Sequence, residues 1–442
     1  MIKIKIVFID PKGVWEGLNN GIACIAANVR NEHEVKVIDF VNRTNGSLEK
    51  RLEPVKDADF VGISIKSFTM IESIMVAKKA REINPAAKIV AGGPHVIVDG
   101  LNFMKENTIF DLAVVGEAEL TFKELLSGKD YTHVSGLIYR VGNELKQNPM
   151  QGWITNLDTL PFPAYDDFDS VNIDGKIQPI ENWPLVTSRG CPYTCTYCNV
   201  PVVIGRKFRT RSGENILEEL AYAKEKYKSK EFKILDDNFT LLMDRAKDIC
   251  KIFIDEKLDM KWTCPNGIRA DRLDEELCNL MKEAGCYSMS IGVESGDSDV
   301  FDKIKKGERL VDVERGIKLA QEAGIKVHGF FIIGLVGSTY EADMRSIEFA
   351  KRLGISASWG ILVPYPGTEV WEQVKADKNT RMLRDWKEGF HIGARPKPVF
   401  DTPQYTAEER VRAYYKANMS TIKKRDIPRA AKMIIKGLIA GK

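Results

Sequence analysis

The 442-residue sequence has no stretch approaching the ~20 consecutive apolar residues that a membrane-spanning helix needs. It also lacks a strong excess of either charge, because 65 Lys and Arg stand against 62 Asp and Glu and leave a net charge of +3. A near-neutral balance gives no compositional reason to expect a nucleic-acid partner. Residues 1–9 alternate like a strand and show neither the apolar core nor the small-residue cleavage site of a signal peptide. These absences predict a cytoplasmic protein.

Signals for crosslinks and common cofactors are also few. Eight Cys are too sparse for a disulfide framework in a chain of this length. No GxGxxG follows the first predicted strand, and no GxxxxGKS/T phosphate-binding loop occurs. Five Cys lack motif spacing and are predicted to be small buried hydrophobes, namely Cys24, Cys250, Cys264, Cys278 and Cys286. Of these, Cys264 and Cys286 lie near predicted strands, where they can face a site.

The remaining three Cys form the most informative motif of the chain. Cys191, Cys195 and Cys198 have CxxxCxxC spacing on a predicted tight loop. Three thiolates can hold three irons of a 4Fe–4S cube, whereas such clusters normally take four Cys. The fourth iron is then open, as in metal sites that bind a reacting molecule. The alternative is a structural zinc knuckle, which usually pairs two CxxC or His units, and the sequence has no second unit.

The run Gly190-Cys191-Pro192, together with Tyr197 just before the third Cys, resembles the signature of the radical S-adenosylmethionine (radical SAM) enzymes. The resemblance implies that SAM chelates the open iron and that one-electron reduction yields a 5′-deoxyadenosyl radical. It also implies an external one-electron reductant such as flavodoxin or ferredoxin. Tyr197 is expected to lie at the SAM site.

Residues 1–130 predict a first α/β domain. Strands are predicted at 3–9, 34–38, 60–65, 87–91 and 112–115, with helices near 20–30, 70–83 and 119–126. Short β-branched runs that alternate with helices predict a doubly wound, Rossmann-like parallel sheet. Such sheets bind ligands at the carboxyl ends of their strands.

Three short motifs follow those strand ends and resemble the cobalamin-binding domain that often precedes a radical SAM barrel. The expected cobalamin contacts are Ser64, Ser67, Gly92, Gly93, Pro94, His95, Gly116 and Glu117. The DxHxxG motif of modules that coordinate cobalt by His is missing, so no His is expected on the metal. The alternative is a flavodoxin-like domain without a cofactor.

Residues 131–183 predict a linker with a small hairpin, and 184–370 predict a partial (β/α)6 TIM barrel. Strands are predicted at 184–188, 232–236, 260–264, 287–293, 326–333 and 357–363, with helices at 213–228, 242–256, 273–284, 311–323 and 340–353. Six such units resemble the radical SAM barrel, in which chemistry occupies the carboxyl ends of the strands. The SAM contacts expected there, besides Tyr197, are Arg211, Asp236, Asp237, Asn238, Asn266, Arg269, Glu294, Ser295, Ile333 and Gly334.

Several of these residues carry expected roles. Asp236, Asp237 and Asn238 replace the family's usual Gly-Gly-Glu-like segment and can accept hydrogen bonds from the amino group of methionine. Arg269 is expected either to face the pocket and pair with the SAM carboxylate or to be a surface arginine. Glu294 is expected to bind the ribose or the amino group, and the segment around Gly334 is expected to lie against adenine.

Residues 371–442 predict a C-terminal helical region. Residues 421–442 hold seven Lys and Arg and one Asp beside a broad apolar face. Such a helix either contacts a membrane or lipid-like substrate, or packs across the barrel mouth.

The combined resemblance implies a cobalamin-dependent radical SAM enzyme that methylates an unactivated carbon, with methylcobalamin as methyl donor. The first alternative keeps both cofactors and performs an oxidative cyclisation or ring rearrangement without methyl transfer. A tRNA methylthiotransferase is disfavoured because the N-terminal domain holds only Cys24. A non-catalytic cobalamin or redox sensor with a closed cluster is the remaining class.

Overall fold

The computed structural model describes residues 3–13, 17–150, 152–389 and 396–421. Two compact units share the chain: the first comprises Met1–Pro184 with Glu218–Ser229, and the second Leu185–Leu217 with Lys230–Lys442. Among the described helices, none is both long and apolar enough to cross a bilayer. The α/β class predicted from the sequence is confirmed.

The first unit is built on a seven-stranded sheet of order β2-β1-β3-β4-β5-β6-β7. Its strands are β1 (Lys5–Asp10), β2 (Glu34–Asp39), β3 (Phe60–Ser64), β4 (Lys88–Gly92), β5 (Leu112–Val114), β6 (Leu137–Val141) and β7 (Glu144–Gln147). The first five strands pair in parallel, whereas β6 and β7 pair antiparallel. The order 2-1-3-4-5 reverses direction between β1 and β3, which places the ligand crevice there.

Helices cover both faces of this sheet. They are α1 (Asn20–Val29), α2 (Leu48–Arg51), α3 (Met70–Ile83), α4 (Pro94–Glu106) and α5 (Ala118–Leu126). On one face, Val76 of α3 and Phe103 of α4 share a buried cluster with Ile63 of β3. On the other face, Phe122 of α5 contacts Phe8 of β1 edge to face. Burial on both faces explains why these strands are nearly continuous apolar runs.

The first unit extends further along the chain than the expected boundary at residue 130. The hairpin expected near residues 136–145 forms β6 and β7 and continues the first sheet through pairing with β5. The stretch expected as a linker, 131–183, lies within the first unit. It includes the short ladder of β8 (Asn172–Ile173) and β9 (Lys176–Ile177).

The second sheet has six strands in the order β10-β13-β14-β15-β16-β17, and all of them except the first three residues of β10 belong to the second unit. Its strands are β10 (Asn182–Leu185), β13 (Glu231–Ile234), β14 (Lys261–Ile268), β15 (Cys286–Glu294), β16 (Lys326–Ile333) and β17 (Ser356–Ile361). The helices that alternate with them are α7 (Gly213–Tyr227), α8 (Met243–Asp255), α9 (Glu275–Glu283), α10 (Ser298–Lys303), α11 (Leu310–Glu322) and α12 (Tyr340–Arg352). Pairing is parallel from β13 to β17, as a partial barrel requires.

Within residues 371–389 and 396–421, the C-terminal part of the second unit contains strands as well as helices. After α13 (Glu369–Ala376), the strands β18 (Arg381–Met382) and β19 (Phe400–Asp401) form a small ladder. Helix α14 (Ala407–Thr421) then packs on α12, β16 and β17. The basic segment expected at 421–442 lies, from residue 422 onward, outside the described residues.

An acidic pair in the first unit gives a pH-dependent prediction. Burial raises the pKa of Asp167 to about 6, and its Oδ2 has no hydrogen-bond partner. As pH rises from 4 to 6, the carboxyl of the unfolded chain ionises while that of the folded chain stays protonated. The free energy of unfolding therefore falls over this pH range. Asp167→Asn is therefore expected to raise the free energy of unfolding at pH 7 by about 1–3 kcal/mol.

The neighbouring Asp166 provides the matched control. Burial pushes the pKa of Asp166 upward, but Arg30 and Lys226 outweigh it and hold that pKa well below its ordinary value. Its oxygens accept bonds of 2.7 and 2.9 Å from Arg30 and 2.9 Å from Lys226. Asp166→Asn should therefore destabilise at pH 7. Urea unfolding of both variants between pH 4 and 8 tests this prediction. A change in the free energy of unfolding that has the same sign in both variants at pH 7 would contradict it.

Candidate active site

The three cysteines lie on a loop that the second unit pins at several points. We call residues 190–199 the cysteine loop. A two-residue ladder of β11 (Ser188–Arg189) and β12 (Arg209–Thr210) closes its base, and α6 (Val200–Val203) follows it. Cys191 N donates to Gly205 O at 3.1 Å, and Thr196 N donates to Ile304 O at 3.0 Å. The loop is therefore held by backbone bonds from two separate segments.

The thiols are half-buried and free, as cluster ligands must be before iron binds. Burial raises the pKa of Cys195 to about 11 and the pKa of Cys198 to about 12. Each of the three thiols is close enough to interact electrostatically with the other two. Within the described residues, no three His, Cys, Asp or Glu gather closely enough to hold a single metal ion. In a 4Fe–4S cluster each thiolate binds a different iron, so three thiols spaced along one loop suit a cube.

Arg269 clamps the cysteine loop from the end of β14. Its guanidinium lies 3.6 Å from the centroid of the Tyr193 ring, and its Nη2 donates to Gly307 O at 3.1 Å. It also donates twice to Asp271, at 3.0 Å each. These contacts give Arg269 a role in holding the loop, and its pairing with the SAM carboxylate stays a prediction.

A buried charge network lies beside Cys195. Lys306 is 6% exposed and forms ion pairs with Glu294 at 3.3 Å and Glu308 at 3.1 Å, and it also donates to Gly292 O. Glu294 has φ +65, a conformation that non-glycine residues adopt at a strain and that concentrates at functional sites. Burial raises the pKa of Tyr197 well above its usual value, and the nearby Glu294 raises that pKa further. Glu294 thus lies close to Tyr197 of the cysteine loop.

The three polar residues after β13 separate into different roles. Asp236 is 3% exposed and accepts 2.6 Å and 2.5 Å bonds from Thr187 N and Oγ1 and a 2.5 Å bond from Ser188 Oγ. Both of its oxygens therefore anchor the base of the cysteine loop. Asp237 instead lies within electrostatic range of Cys191 and Cys198, and burial raises its pKa to about 6.

Asn238 carries the clearest sign of a missing polar ligand. It is 1% exposed, and neither its Nδ2 nor its Oδ1 has a hydrogen-bond partner. Thr240 is 0% exposed, and its Oγ1 is also without a partner. Buried polar groups are normally hydrogen-bonded, so two such residues in one segment fit a polar molecule bound there. SAM, with its amino, carboxylate and ribose groups, is of that type.

The remaining predicted SAM contacts have protein partners. Arg211 donates to Asn215 Oδ1 at 2.7 Å and to Val186 O at 3.1 Å. Asn266 Nδ2 donates to Leu235 O at 2.6 Å, which joins the ends of β13 and β14. Ser295 Oγ accepts from Asp297 N at 3.2 Å and so orders the start of α10. These contacts give each of them a structural role.

Hydrogen bonds from α12 and from the C-terminal segment hold the turn that follows β16. Gly334, with φ +76, donates its N–H to Asp343 Oδ2 at 3.0 Å, and its carbonyl accepts from Arg410 Nη1 at 2.9 Å. Tyr405 donates to the same Asp343 oxygen at 2.6 Å. Ile333, fully buried, precedes this turn. A side chain at 334 would come 2.5 Å from the Arg410 guanidinium, so the turn requires glycine.

In the first unit, the predicted cobalamin contacts gather at the carboxyl ends of β3, β4 and β5. Ser64 ends β3, the run Gly92, Gly93, Pro94 and His95 joins β4 to α4, and Gly116 and Glu117 join β5 to α5. No heavy atom lies within 4 Å of the position that a Cβ on Gly92 would occupy. Open space at this strand end fits a bulky ligand.

Asp10, which the sequence reading did not select, completes this crevice. It ends β1 at the reversal point of the sheet, is 1% exposed, and its Oδ2 has no hydrogen-bond partner. Its Oδ1 accepts from Asn19 at 2.8 Å and from Lys66 at 3.2 Å. Asn19 also donates to Ser64 Oγ at 3.2 Å. Asp10 lies at the carboxyl end of a strand just as Ser64 does, so its position in the sequence is a signal of the same kind.

The histidine of this region packs among protein groups. His95 is 1% exposed, its Nδ1 lies 3.0 Å from Ser67 Oγ, and its ring packs edge to face on Phe103. Glu117 accepts from Ile154 N at 2.7 Å.

Two cysteines outside the triad lie in the core of the second sheet. Cys264 and Cys286 are 2% and 1% exposed and are close enough to interact electrostatically. Residues that the sequence reading missed at the site are Tyr193, Thr240, Lys306 and Glu308, because only their tertiary contacts distinguish them.

Gly190 gives a prediction about the cysteine loop. It has φ +92, and a Cβ there would overlap the Lys207 carbonyl oxygen. Gly190→Ala is expected to lower the free energy of unfolding by about 1–2 kcal/mol for the left-handed backbone. Overlap should add about 1–3 kcal/mol. Because Cys191 follows directly, iron and sulfide content after reconstitution should fall as well.

The control for that prediction is Gly128→Ala. Gly128 has φ +79, but nothing lies within 4 Å of its Cβ position. It should show the backbone penalty alone and full iron content. Equal destabilisation of the two variants, measured by urea unfolding, would show that the loop does not need the close approach at Gly190.

Comparisons with known proteins agree with both halves of this arrangement. The family model of the Radical SAM superfamily matches residues 185–350, and that of the B12 binding domain matches residues 4–126. An uncharacterized methyltransferase of Pyrococcus horikoshii is 34% identical over 409 residues, covering 90% of this chain and 86% of that protein. The cytidylyl-2-hydroxyethylphosphonate methyltransferase of Streptomyces wedmorensis is 31% identical over 353 residues, covering 71% of this chain and 66% of that protein.

Solved structures share the fold. TsrM, a radical S-adenosylmethionine methyltransferase of Kitasatospora setae solved with cobalamin and a 4Fe–4S cluster, matches with a TM-score of 0.74 at 15% identity. The match covers 96% of this chain and 90% of that chain. OxsB, a cobalamin-dependent S-adenosylmethionine radical enzyme, matches with a TM-score of 0.64 at 19% identity over 79% of this chain and 52% of that chain.

Proposed function

The chain belongs to the cobalamin-dependent radical SAM methyltransferases, and we propose that it methylates an unactivated carbon of a small-molecule substrate. The observation that carries the proposal is the pairing of two features in one chain. The second unit presents three free thiols beside buried, unpartnered polar atoms, and the first presents an open crevice at the strand ends of a B12-binding sheet.

The residues that would hold the cofactors follow from the contacts above. Cys191, Cys195 and Cys198 would hold the cluster, and Asn238, Thr240, Asp237 and Glu294 would surround SAM. Gly92, Gly93 and Ser64 would border cobalamin, with Asp10 at the crevice floor. When bound, these cofactors supply hydrogen-atom abstraction from carbon and a methyl group, which protein side chains do not provide.

The protein's own contribution is to orient and to shield. Arg269 and Asp236 hold the cysteine loop. The hydrogen-bonded side chains of Asp343, Tyr405 and Arg410 fix the Gly334 turn. Burial of Lys306 between two carboxylates keeps a fixed charge next to Cys195. Rigid support of this kind favours one productive arrangement of the reacting groups.

An external one-electron reductant is required, and flavodoxin or ferredoxin is our proposal for it. We also propose a cytoplasmic location, since all eight Cys are free thiols, as is usual in reducing compartments. Contact of the basic segment 422–442 with a membrane stays a proposal drawn from its sequence alone.

The test is anaerobic turnover with SAM that carries a deuterated methyl group. Methyl transfer predicts a labelled product together with 5′-deoxyadenosine and S-adenosylhomocysteine. The cyclase alternative predicts 5′-deoxyadenosine with an unlabelled, altered product. A sensor predicts neither nucleoside product in the presence of reductant.

Gly92 tests the cobalamin crevice separately from the barrel. Because its Cβ position is open, Gly92→Val should fold normally and place a side chain in the space that the corrinoid needs. Retention of cobalamin should weaken about tenfold or more, or roughly 1.4 kcal/mol. Iron content should not change. Ala86→Val, in the exposed turn before the opposite end of β4, is the control, and equal cobalamin retention by both variants would refute the crevice assignment.

A further inference from the structure

Among the described residues, one face of the second sheet carries half-buried and exposed residues at β16 and β17. Along β16, Val327, Gly329, Phe331 and Ile333 are buried, and the residues between them are half-buried or exposed. Helices α11 and α12 pack on β16. The same alternation holds on β17, where Trp359 and Ile361 are buried. We call the alternate side chains the open face: His328, Phe330, Ile332, Ser356, Ser358 and Gly360.

A histidine bridges two serines across this open face. His328 Nδ1 lies 2.8 Å from Ser356 Oγ, and its Nε2 lies 2.9 Å from Ser358 Oγ. Burial lowers the pKa of His328, so the ring is neutral at neutral pH. A neutral imidazole has one donor and one acceptor, so one serine donates to the ring and the other accepts from it. Each hydroxyl then keeps further hydrogen-bonding capacity for a third group.

The open face changes character along the strands. Phe330 and Ile332 lie toward the carboxyl end of β16, next to Ile333 and the Gly334 turn. His328 lies four residues earlier than Ile332, which at the strand rise of ~3.3 Å corresponds to about 13 Å. Gly360, which pairs with Ile332, has no heavy atom within 4 Å of its Cβ position, so this face is open two residues beyond Ser358. An apolar zone therefore borders the SAM end, and a polar zone lies deeper.

We propose that His328, Ser356 and Ser358 form a substrate subsite that binds a neutral oxygen-bearing group, such as the hydroxyls of a sugar or polyol, while the reacting carbon lies against Phe330 and Ile332. This proposal rests on the proposed function and specifies its substrate class. The substrate is a water-soluble, oxygen-rich metabolite. It differs from the lipid-like substrate that the basic tail suggested from sequence.

The chemistry of the three side chains excludes an apolar occupant at this position. Two hydroxyls and an imidazole covered by hydrocarbon would lose water and leave part of their hydrogen-bonding capacity unfilled. Burying such groups without partners is unfavourable. Because the ring is neutral and the serines carry no charge, these three side chains supply no cation to pair with a phosphate or carboxylate.

The experiment is methylation of a cell extract from the source organism by the holoenzyme, with deuterated-methyl SAM as donor. The extract is divided by chloroform–methanol partition into a water-soluble and a lipid fraction. The proposal expects the label in the water-soluble fraction. Label confined to the lipid fraction overturns the substrate class but leaves methyl transfer intact. No label in either fraction overturns the proposed function, and this proposal with it.

Two variants then test the residues. His328→Leu should lower kcat/KM for the substrate that gives the labelled product about tenfold or more, chiefly by raising KM. A tenfold change corresponds to about 1.4 kcal/mol of binding free energy. His328→Gln keeps a donor and an acceptor and should retain more activity. Iron content, cobalamin content and 5′-deoxyadenosine formation without substrate should match wild type. His133→Leu, an exposed His of the first unit, is the control. Wild-type kcat/KM in His328→Leu would overturn the subsite.

Discussion

Replacing any one of Cys191, Cys195 and Cys198 by Ala is expected to abolish 5′-deoxyadenosine formation. Each thiol lies on the same pinned loop, and each is within electrostatic range of the other two. Because a cube held by three thiolates has no spare ligand, loss of one should release the cluster or expose a second iron. Residual activity should fall below about a thousandth of wild type, since no side chain replaces this chemistry.

Cys24→Ala is the matched control, because Cys24 is a buried thiol of the first unit that lies outside the loop. It should retain wild-type iron content and activity. Iron and sulfide analysis with the visible spectrum separates cluster loss from a general folding defect, which circular dichroism reports. A triad variant that still produces 5′-deoxyadenosine would refute the cluster assignment.

Lys306→Met is expected to give the largest loss of stability among the non-cysteine variants. The Lys306 and Glu308 side chains are 6% and 0% exposed, and that of Glu294 is 10% exposed. Burial works against the Lys306 charge, but the two carboxylates outweigh it and raise the Lys306 pKa. Removing the cation leaves uncompensated buried charge, which typically costs about 3–5 kcal/mol.

The adjacent Lys305 makes this prediction specific. Lys305 pairs with Glu369 at 2.6 Å, with side chains 58% and 38% exposed. Exposed pairs contribute at most about 1 kcal/mol, so Lys305→Met should be nearly neutral. Urea unfolding of the two apo variants, followed by tryptophan fluorescence, measures the difference. Equal midpoints would show that the buried network does not support the cysteine loop region.

The order of strands and helices could be predicted because local pattern and tertiary context agree. The helix predicted at 70–83 coincides with α3, and the strand predicted at 326–333 coincides with β16. Helix α4 was not predicted, because Gly92-Gly93-Pro94-His95 resembles a ligand loop. In the structure Gly93 precedes the helix and Pro94 occupies its first position, where a missing N–H is tolerated.

The location of the site was predictable, whereas the partners of its residues were not. Asp236 and Asp237 are adjacent in sequence, but Asp236 turns to Thr187 and Ser188 while Asp237 lies near the thiols. Arg269 could be placed at a strand end, yet only the fold shows that Tyr193 and Gly307 take its guanidinium. Strand-end rules select a region, and tertiary contacts decide which side chain remains available.

The most direct test of the account is anaerobic reconstitution of the full chain with iron, sulfide and cobalamin, followed by reduction in the presence of deuterated-methyl SAM and substrate extract. The account predicts about one corrinoid and one 4Fe–4S cluster per chain, as three cluster thiols and one B12-binding sheet imply. It also predicts 5′-deoxyadenosine, S-adenosylhomocysteine and a labelled product. A fully loaded enzyme that cleaves SAM to 5′-deoxyadenosine but transfers no label would contradict the assignment as a methyltransferase.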